Sequence, residues 1–206
     1  IRQMGGEPTL EIHLILDPGF RTSADFLAYV LKLLTGRDPD PGLSELEAKE
    51  LVKQTLFQKG VEQQKTVVLL IDEGQKMPYF CLETLREFLN FESNDSKLLQ
   101  IVIFAQREYE SEIRKYPNVL DRVNEYWVLR PLDFQDMIGL IEYRVQVHRT
   151  TPQPLKLFTW PALWSIYRTS GGYPRKVIQI CHMALLWLVV HDKTRVTRGI
   201  VKACYH

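Results

Sequence analysis

The stretch that most constrains the fold is Thr66-Val67-Val68-Leu69-Leu70-Ile71-Asp72-Glu73. Its five consecutive apolar residues, three of them β-branched, are too few for a buried helix and show no polar alternation. The run therefore predicts a strand covered on both faces, as in a parallel α/β sheet. Two carboxylates follow at its C-terminal end, where open α/β sheets place their ligands. Carboxylates there suit a hard divalent cation and the activation of a water; they equally suit a strand that simply ends in solvated acids.

Length and composition bound the rest. The chain has 206 residues, 45% hydrophobic and 25% charged, with a formal net charge of +1. This is the balance of a globular protein of one large domain, or one with a small companion. In the near-neutral total no global basic field argues for nucleic acid and no acidic tail argues against it, so charge alone leans only mildly away from DNA. Cys81, Cys181 and Cys204 share no disulfide or metal spacing and sit in apolar helical contexts, which predicts buried thiols in a reducing compartment. No apolar run reaches transmembrane length and no signal-peptide pattern opens the chain, so a cytoplasmic protein is expected.

Taken in order, Ile1 to Met4 reads as the tail of a helix, stopped by Gly5-Gly6. Leu10 to Leu16 reads as a strand, closed by the turn Asp17-Pro18-Gly19. Ser23 is placed as the cap of a helix carrying Phe26, Leu27, Val30, Leu31 and Leu34 on one stripe, with Gly36 past its end. Ser44 and Glu47 form a capping-box pair, opening a helix that is expected to stop at Gly60. Beyond the central strand come a helix from Met77-Pro78, a second buried strand within Lys97 to Ala105, a short helix over Glu108 to Lys115, and a short last strand over Tyr126 to Leu129. Strands alternating with helices at this spacing predict right-handed βαβ crossovers and a mainly parallel sheet.

Pro131 marks a change of texture. Only helical patterns follow, at about 133–148, 161–169, 174–191 and 197–205. The expected organisation is an α/β core over 1–131 and an all-helical subdomain over 132–206. Trp160 and Trp164, one turn apart, are placed in the core of that subdomain, and the five histidines share no metal-ligand spacing.

Leu70-Ile71-Asp72-Glu73-Gly74-Gln75 resembles the Walker B motif of AAA+ ATPases, and most of all that of the general secretion pathway (ExeA/GspA-type) ATPases, which carry Asp-Glu-Ala-Gln there. The likeness continues through Ala105-Gln106-Arg107-Glu108, Leu129-Arg130-Pro131-Leu132 and Ser170-Gly171-Gly172-Tyr173-Pro174-Arg175, in register over about a hundred residues. It implies a P-loop NTPase core with a helical lid, ATP and Mg²⁺ as cofactors, and oligomeric assembly. On that resemblance Asp72 would hold Mg²⁺, Glu73 would polarise the attacking water, and Gln106 would stand between that water and the γ-phosphate. Arg175 would reach the phosphates from the lid, and Arg122 would act as an arginine finger on a neighbouring copy's nucleotide. Where the family often shows a second arginine in that segment, this chain has Tyr126.

The resemblance further implies protein partners of a secretion or envelope-assembly system, with the chain as a cytoplasmic domain that could belong to an inner-membrane protein. The alternatives are a DNA-associated, transposition-type AAA+ ATPase and a degenerate, non-hydrolysing interaction module. One departure stands out: no Gly-x-x-x-x-Gly-Lys-Ser/Thr occurs in these residues. In the family that loop and its strand precede the helix whose tail is read in Ile1 to Met4. The missing strand would lie between those ending at Gln106 and Leu129, so the expectation is that the sequence starts late, with a natural relative lacking the loop as the alternative. Taken literally, the chain lacks the phosphate cradle and would not hydrolyse ATP. Backbone freedom at Gly171-Gly172, followed by Pro174 at the first helical position, suggests a turn that absorbs lid movement.

Overall fold

A computed structural model of the chain describes residues 9–91, 97–148 and 157–205, so the helix tail read in Ile1 to Met4 lies outside the described residues. The chain divides into two compact units, Ile1–Trp127 and Val128–His206.

Three strands make the sheet of the first unit: β1 (Leu10–Ile15), β2 (Thr66–Ile71) and β3 (Leu99–Ile103), in the order β1-β2-β3. Both pairings are parallel, with Ile15 opposite Ile71 and Ile71 opposite Ile103. The apolar run thus forms the central strand, as its composition requires. Its coverage is less even than expected. Val67, Leu69 and Ile71 are buried, whereas Val68 and Leu70 are half-buried. The buried face packs on the helices α1 (Ser23–Thr35), α2 (Glu45–Phe57) and α3 (Tyr79–Phe88), which supply Phe26, Leu27, Val52, Leu56, Leu85 and Phe88 to one core. Among the described residues no helix closes the other face as fully.

Local chemistry explains the helix boundaries. Thr22, not Ser23, is the cap of α1: its hydroxyl accepts the Asp25 N–H at 3.1 Å, while Gly36 ends the helix in the left-handed region. Ser44 and Glu47 make the expected reciprocal capping box. Gly60 does not stop α2, because the chain continues through a π-helical turn over Gln58–Glu62. The glycine serves close packing instead: a Cβ there would meet the Leu98 side chain at 2.6 Å.

Beyond β3 come two short helices, α4 (Tyr109–Ile113) and α5 (Pro117–Leu120). The last strand expected over Tyr126 to Leu129 does not form; all four residues are exposed and irregular. A strand exists only by its ladder, and among the described residues no strand lies beside this segment or on the outer edge of β3. Tyr126 instead donates its hydroxyl to the Glu110 carboxylate, which also holds Arg114 at 2.7 Å.

The second unit is helical: α6 (Phe134–His148), α7 (Trp160–Ser170), α8 (Pro174–Val190) and α9 (Arg198–Tyr205), with an isolated parallel bridge between Phe158 and Val196. Asp133 starts α6 by accepting the Asp136 N–H at 2.8 Å. Val177, Ile180, Cys181, Ala184 and Leu188 form the buried stripe of α8. Trp160 and Trp164 are not core residues: they are 68% and 51% exposed and flank Phe134 at ring distances of 5.7 and 5.2 Å. Ala162 and Ile166 of the same helix take the inward positions, so the tryptophans fall on its outer side.

Cys81 and Cys181 are buried, and burial pushes both thiols up to about 12, which leaves them unreactive; Cys204 is only partly buried. Among the described residues no helix is long and apolar enough to cross a membrane.

Candidate functional site

The C-terminal ends of the three strands meet at one rim of the sheet. The Asp72 N–H donates to the Ile15 carbonyl at 2.8 Å, which carries the β1–β2 ladder one step past the strand. The chain then turns sharply. Glu73 lies in the left-handed region, φ 53° and ψ 37°, which costs a non-glycine residue roughly 1–2 kcal/mol. Such a conformation persists only where its surroundings hold it, and residues held this way cluster at functional sites.

Three bonds hold it. The Glu73 N–H donates to the Asp72 Oδ1 at 2.8 Å. The Glu73 carbonyl accepts from the Lys76 N–H at 2.8 Å, closing a 3₁₀ turn over Gly74–Lys76. The Gly74 N–H donates to the Phe104 carbonyl at 2.8 Å, pinning the turn to the end of β3. Gly74 is required by that approach, since a Cβ would stand 2.4 Å from the Ile103 Cγ2 and 3.2 Å from the Phe104 oxygen.

Side chains complete the arrangement. The Gln75 Nε2 donates to the Glu73 Oε2 at 2.7 Å, and the Gln106 N–H donates to the Gln75 Oε1 at 3.1 Å. The Lys76 ammonium lies 3.8 Å from Glu73 Oε2 and 3.7 Å from Asp17 Oδ1, the latter just beyond β1. Asp72 and Gln106 are exposed, and Glu73 is half-buried. The site is an open rim: two shallow cavities of about 420 and 470 Å³ lie elsewhere, one beside Phe57 and Leu98, the other beside Phe158 and Cys181.

Of the residues read from the sequence, Asp72, Glu73 and Gln106 therefore share one rim. Arg122 lies in the same unit, exposed just past α5, its N–H on the Val119 carbonyl. Arg175 lies in the second unit, exposed in the first turn of α8. The sequence reading had no site role for Gln75, Lys76 or Asp17. For Gln75 a signal existed, since it stands within the Walker-B-like stretch, but only the fold reveals that it faces both Glu73 and Gln106.

An exposed aspartate at a strand end offers hard oxygen donors, which fit a Mg²⁺ ion that keeps most of its waters. Among the described residues no cluster of three or more His, Cys, Asp or Glu side chains forms a closed metal cage.

Residues 5–112 match the family model described as the AAA domain. The chain belongs to the AAA family of ATPase domains. It is also 32% identical over 192 residues to general secretion pathway protein A of Aeromonas hydrophila, a match spanning 92% of this chain and 34% of that protein. The chain thus covers about a third of that relative's length.

Solved structures agree on the AAA+ fold. Cdc6p from Pyrobaculum aerophilum superposes with a TM-score of 0.70 at 14% identity, over 95% of this chain and 53% of that one. The Thermotoga maritima RuvB Holliday junction branch migration motor gives 0.62 at 17%, over 94% and 52%. The Aeropyrum pernix ORC1 protein in complex with DNA gives 0.65 at 14%, over 98% and 51%. At these identities the likeness is one of fold.

Proposed function

We propose that this AAA domain supplies the hydrolytic rim of an ATP-driven, self-assembling machine that acts on protein partners of a secretion or envelope-assembly system. Asp72 would hold Mg²⁺, which when bound would neutralise phosphate charge. Glu73 polarises the attacking water and accepts its proton as the oxygen attacks, and Gln106 orients that water. Arg122 serves the nucleotide of a neighbouring copy, and Arg175 engages phosphate oxygens from the helical unit, where a guanidinium fork suits them. The phosphate cradle is no part of this sequence, so the residues here account for the cation, the water and the arginines.

The observation that carries this reading is Glu73 itself. It is held in a strained conformation at the end of the central strand, with its carboxylate on Gln75 and Gln75 on the tip of β3. Likeness to general secretion pathway protein A supports the choice of partner class.

The test uses a form of the protein that carries a phosphate-binding loop. Glu73→Gln keeps the size of the side chain and removes its basicity, so nucleotide binding is expected to persist while turnover falls by about 10²- to 10⁴-fold. Turnover at the parent rate would remove Glu73 from the site.

A further inference from the structure

We propose that Gln75 is a positioning residue: it anchors one oxygen of the Glu73 carboxylate, turns the other toward water, and ties both to the position of Gln106. This rests on the hydrolytic reading of Glu73.

The orientation of the Gln75 amide is fixed by its neighbours. A backbone N–H can only donate and an ionised carboxylate can only accept. The amide oxygen must therefore face the Gln106 N–H and the amide nitrogen the Glu73 carboxylate, as found at 3.1 and 2.7 Å. The reversed amide would set donor against donor and acceptor against acceptor. Its own start is fixed as well, because Gly74 is seated on the Phe104 carbonyl with no room to shift.

The consequence lies in which oxygen is used. Gln75 and the Lys76 ammonium both approach Oε2 of Glu73. That leaves Oε1 as the atom turned to the water, a distinction the carboxylate cannot make alone. Since the same Gln75 side chain accepts from the Gln106 backbone, movement of the β3 tip is transmitted to the base. One half-buried glutamine thus sets the relation between two residues 33 positions apart in sequence. Charge-assisted bonds of this kind are about twice as strong as neutral ones, enough to restrain a half-exposed carboxylate.

Two substitutions separate the two ends of the amide. Gln75→Glu keeps an acceptor for the Gln106 N–H but opposes the Glu73 carboxylate with like charge. Gln75→Leu removes both bonds at similar volume. Two measurements need no nucleotide and use the chain as it stands. Amide hydrogen exchange at Gln106 should accelerate about five- to tenfold in Gln75→Leu and stay near the parent value in Gln75→Glu. The side-chain amide signals of Gln75 should shift in Glu73→Ala. Parent-like exchange at Gln106 in Gln75→Leu, together with unmoved Gln75 signals in Glu73→Ala, would overturn the proposal.

The third measurement is turnover in a form carrying the phosphate loop. Gln75→Glu should lower kcat by about tenfold or more with KM little changed, since positioning acts on the chemical step. Parent-like kcat in Gln75→Glu overturns the positioning role alone. Parent-like kcat in Glu73→Gln instead overturns the hydrolytic reading beneath it.

Discussion

At the residue scale, the second unit shows how little freedom a glycine pair need have. Gly171 closes α7 in the left-handed region, and Gly172 follows at φ 76°. The sequence suggests a yielding turn here, but the structure packs it tightly. The Leu132 N–H donates to the Gly172 carbonyl at 2.9 Å, and a Cβ on Gly172 would stand 2.1 Å from the Leu132 carbonyl oxygen. Backbone meets backbone, so no side chain can swing aside. Gly172→Ala should therefore destabilise the chain by about 2–4 kcal/mol, combining overlap with a disfavoured φ. Chemical denaturation would show it as a lower midpoint, and a parent-like midpoint would mean that the turn yields after all. Gly171→Ala meets nothing nearer than 3.7 Å and carries only the conformational cost.

At the element scale, β1 is joined to the π-helical turn by a cluster on Glu11. Its carboxylate takes the Lys59 ammonium at 2.6 Å, His13 Nε2 at 2.9 Å and the Lys65 ammonium at 3.4 Å. Burial pushes the Glu11 carboxyl up, yet the Lys59 bond and charge, then those of His13, outweigh it and leave the group below its ordinary value of 4.5. A carboxylate depressed in the folded state stabilises above its unfolded value, and that contribution is lost as pH falls through the folded one. The chain should accordingly lose stability below about pH 4.5, and Glu11→Gln should flatten that acid limb. Melting temperatures at pH 3.5 to 7 in both proteins would reveal an unchanged limb if Glu11 plays no part.

Elements of this kind also mark how much was legible in the sequence. The central strand, the capping box at Ser44, the stripe of α1 and the existence of α8 were legible because their signals are local: apolar period, cap chemistry and a stop glycine. The π-helical turn was not, since Gly60 carries the same signal whether it ends a helix or receives Leu98. Nor was the fate of Tyr126 to Leu129, whose β-prone residues cannot form a strand without a neighbour. In the site, residue types at a strand end indicated Asp72 and Glu73. The bond from Gln75 to Gln106 depends on β2 and β3 lying side by side, which no spacing in the sequence expresses.

At the scale of the whole molecule, the net charge of +1 conceals two opposed halves. Residues 128–206 carry 11 Lys and Arg against 4 Asp and Glu, a net +7, which leaves the first unit at −6. The near-neutral total therefore offers no argument against an anionic partner for the helical unit. The sheet has a different consequence, for anyone who stores the protein in a tube. Among the described residues the outer edge of β3 faces no strand; Val102 within that strand is 41% exposed, and Phe104 just past it 48%. Unpaired edges template pairing between molecules. Concentrated samples of these 206 residues alone should form growing soluble aggregates, visible by light scattering over days, and Val102→Lys, a charge on that edge strand, should slow their growth. Equal growth in both proteins would put the sticking surface elsewhere. If that edge is what sticks, the shelf life of these 206 residues taken alone is set there rather than by the depth of the core.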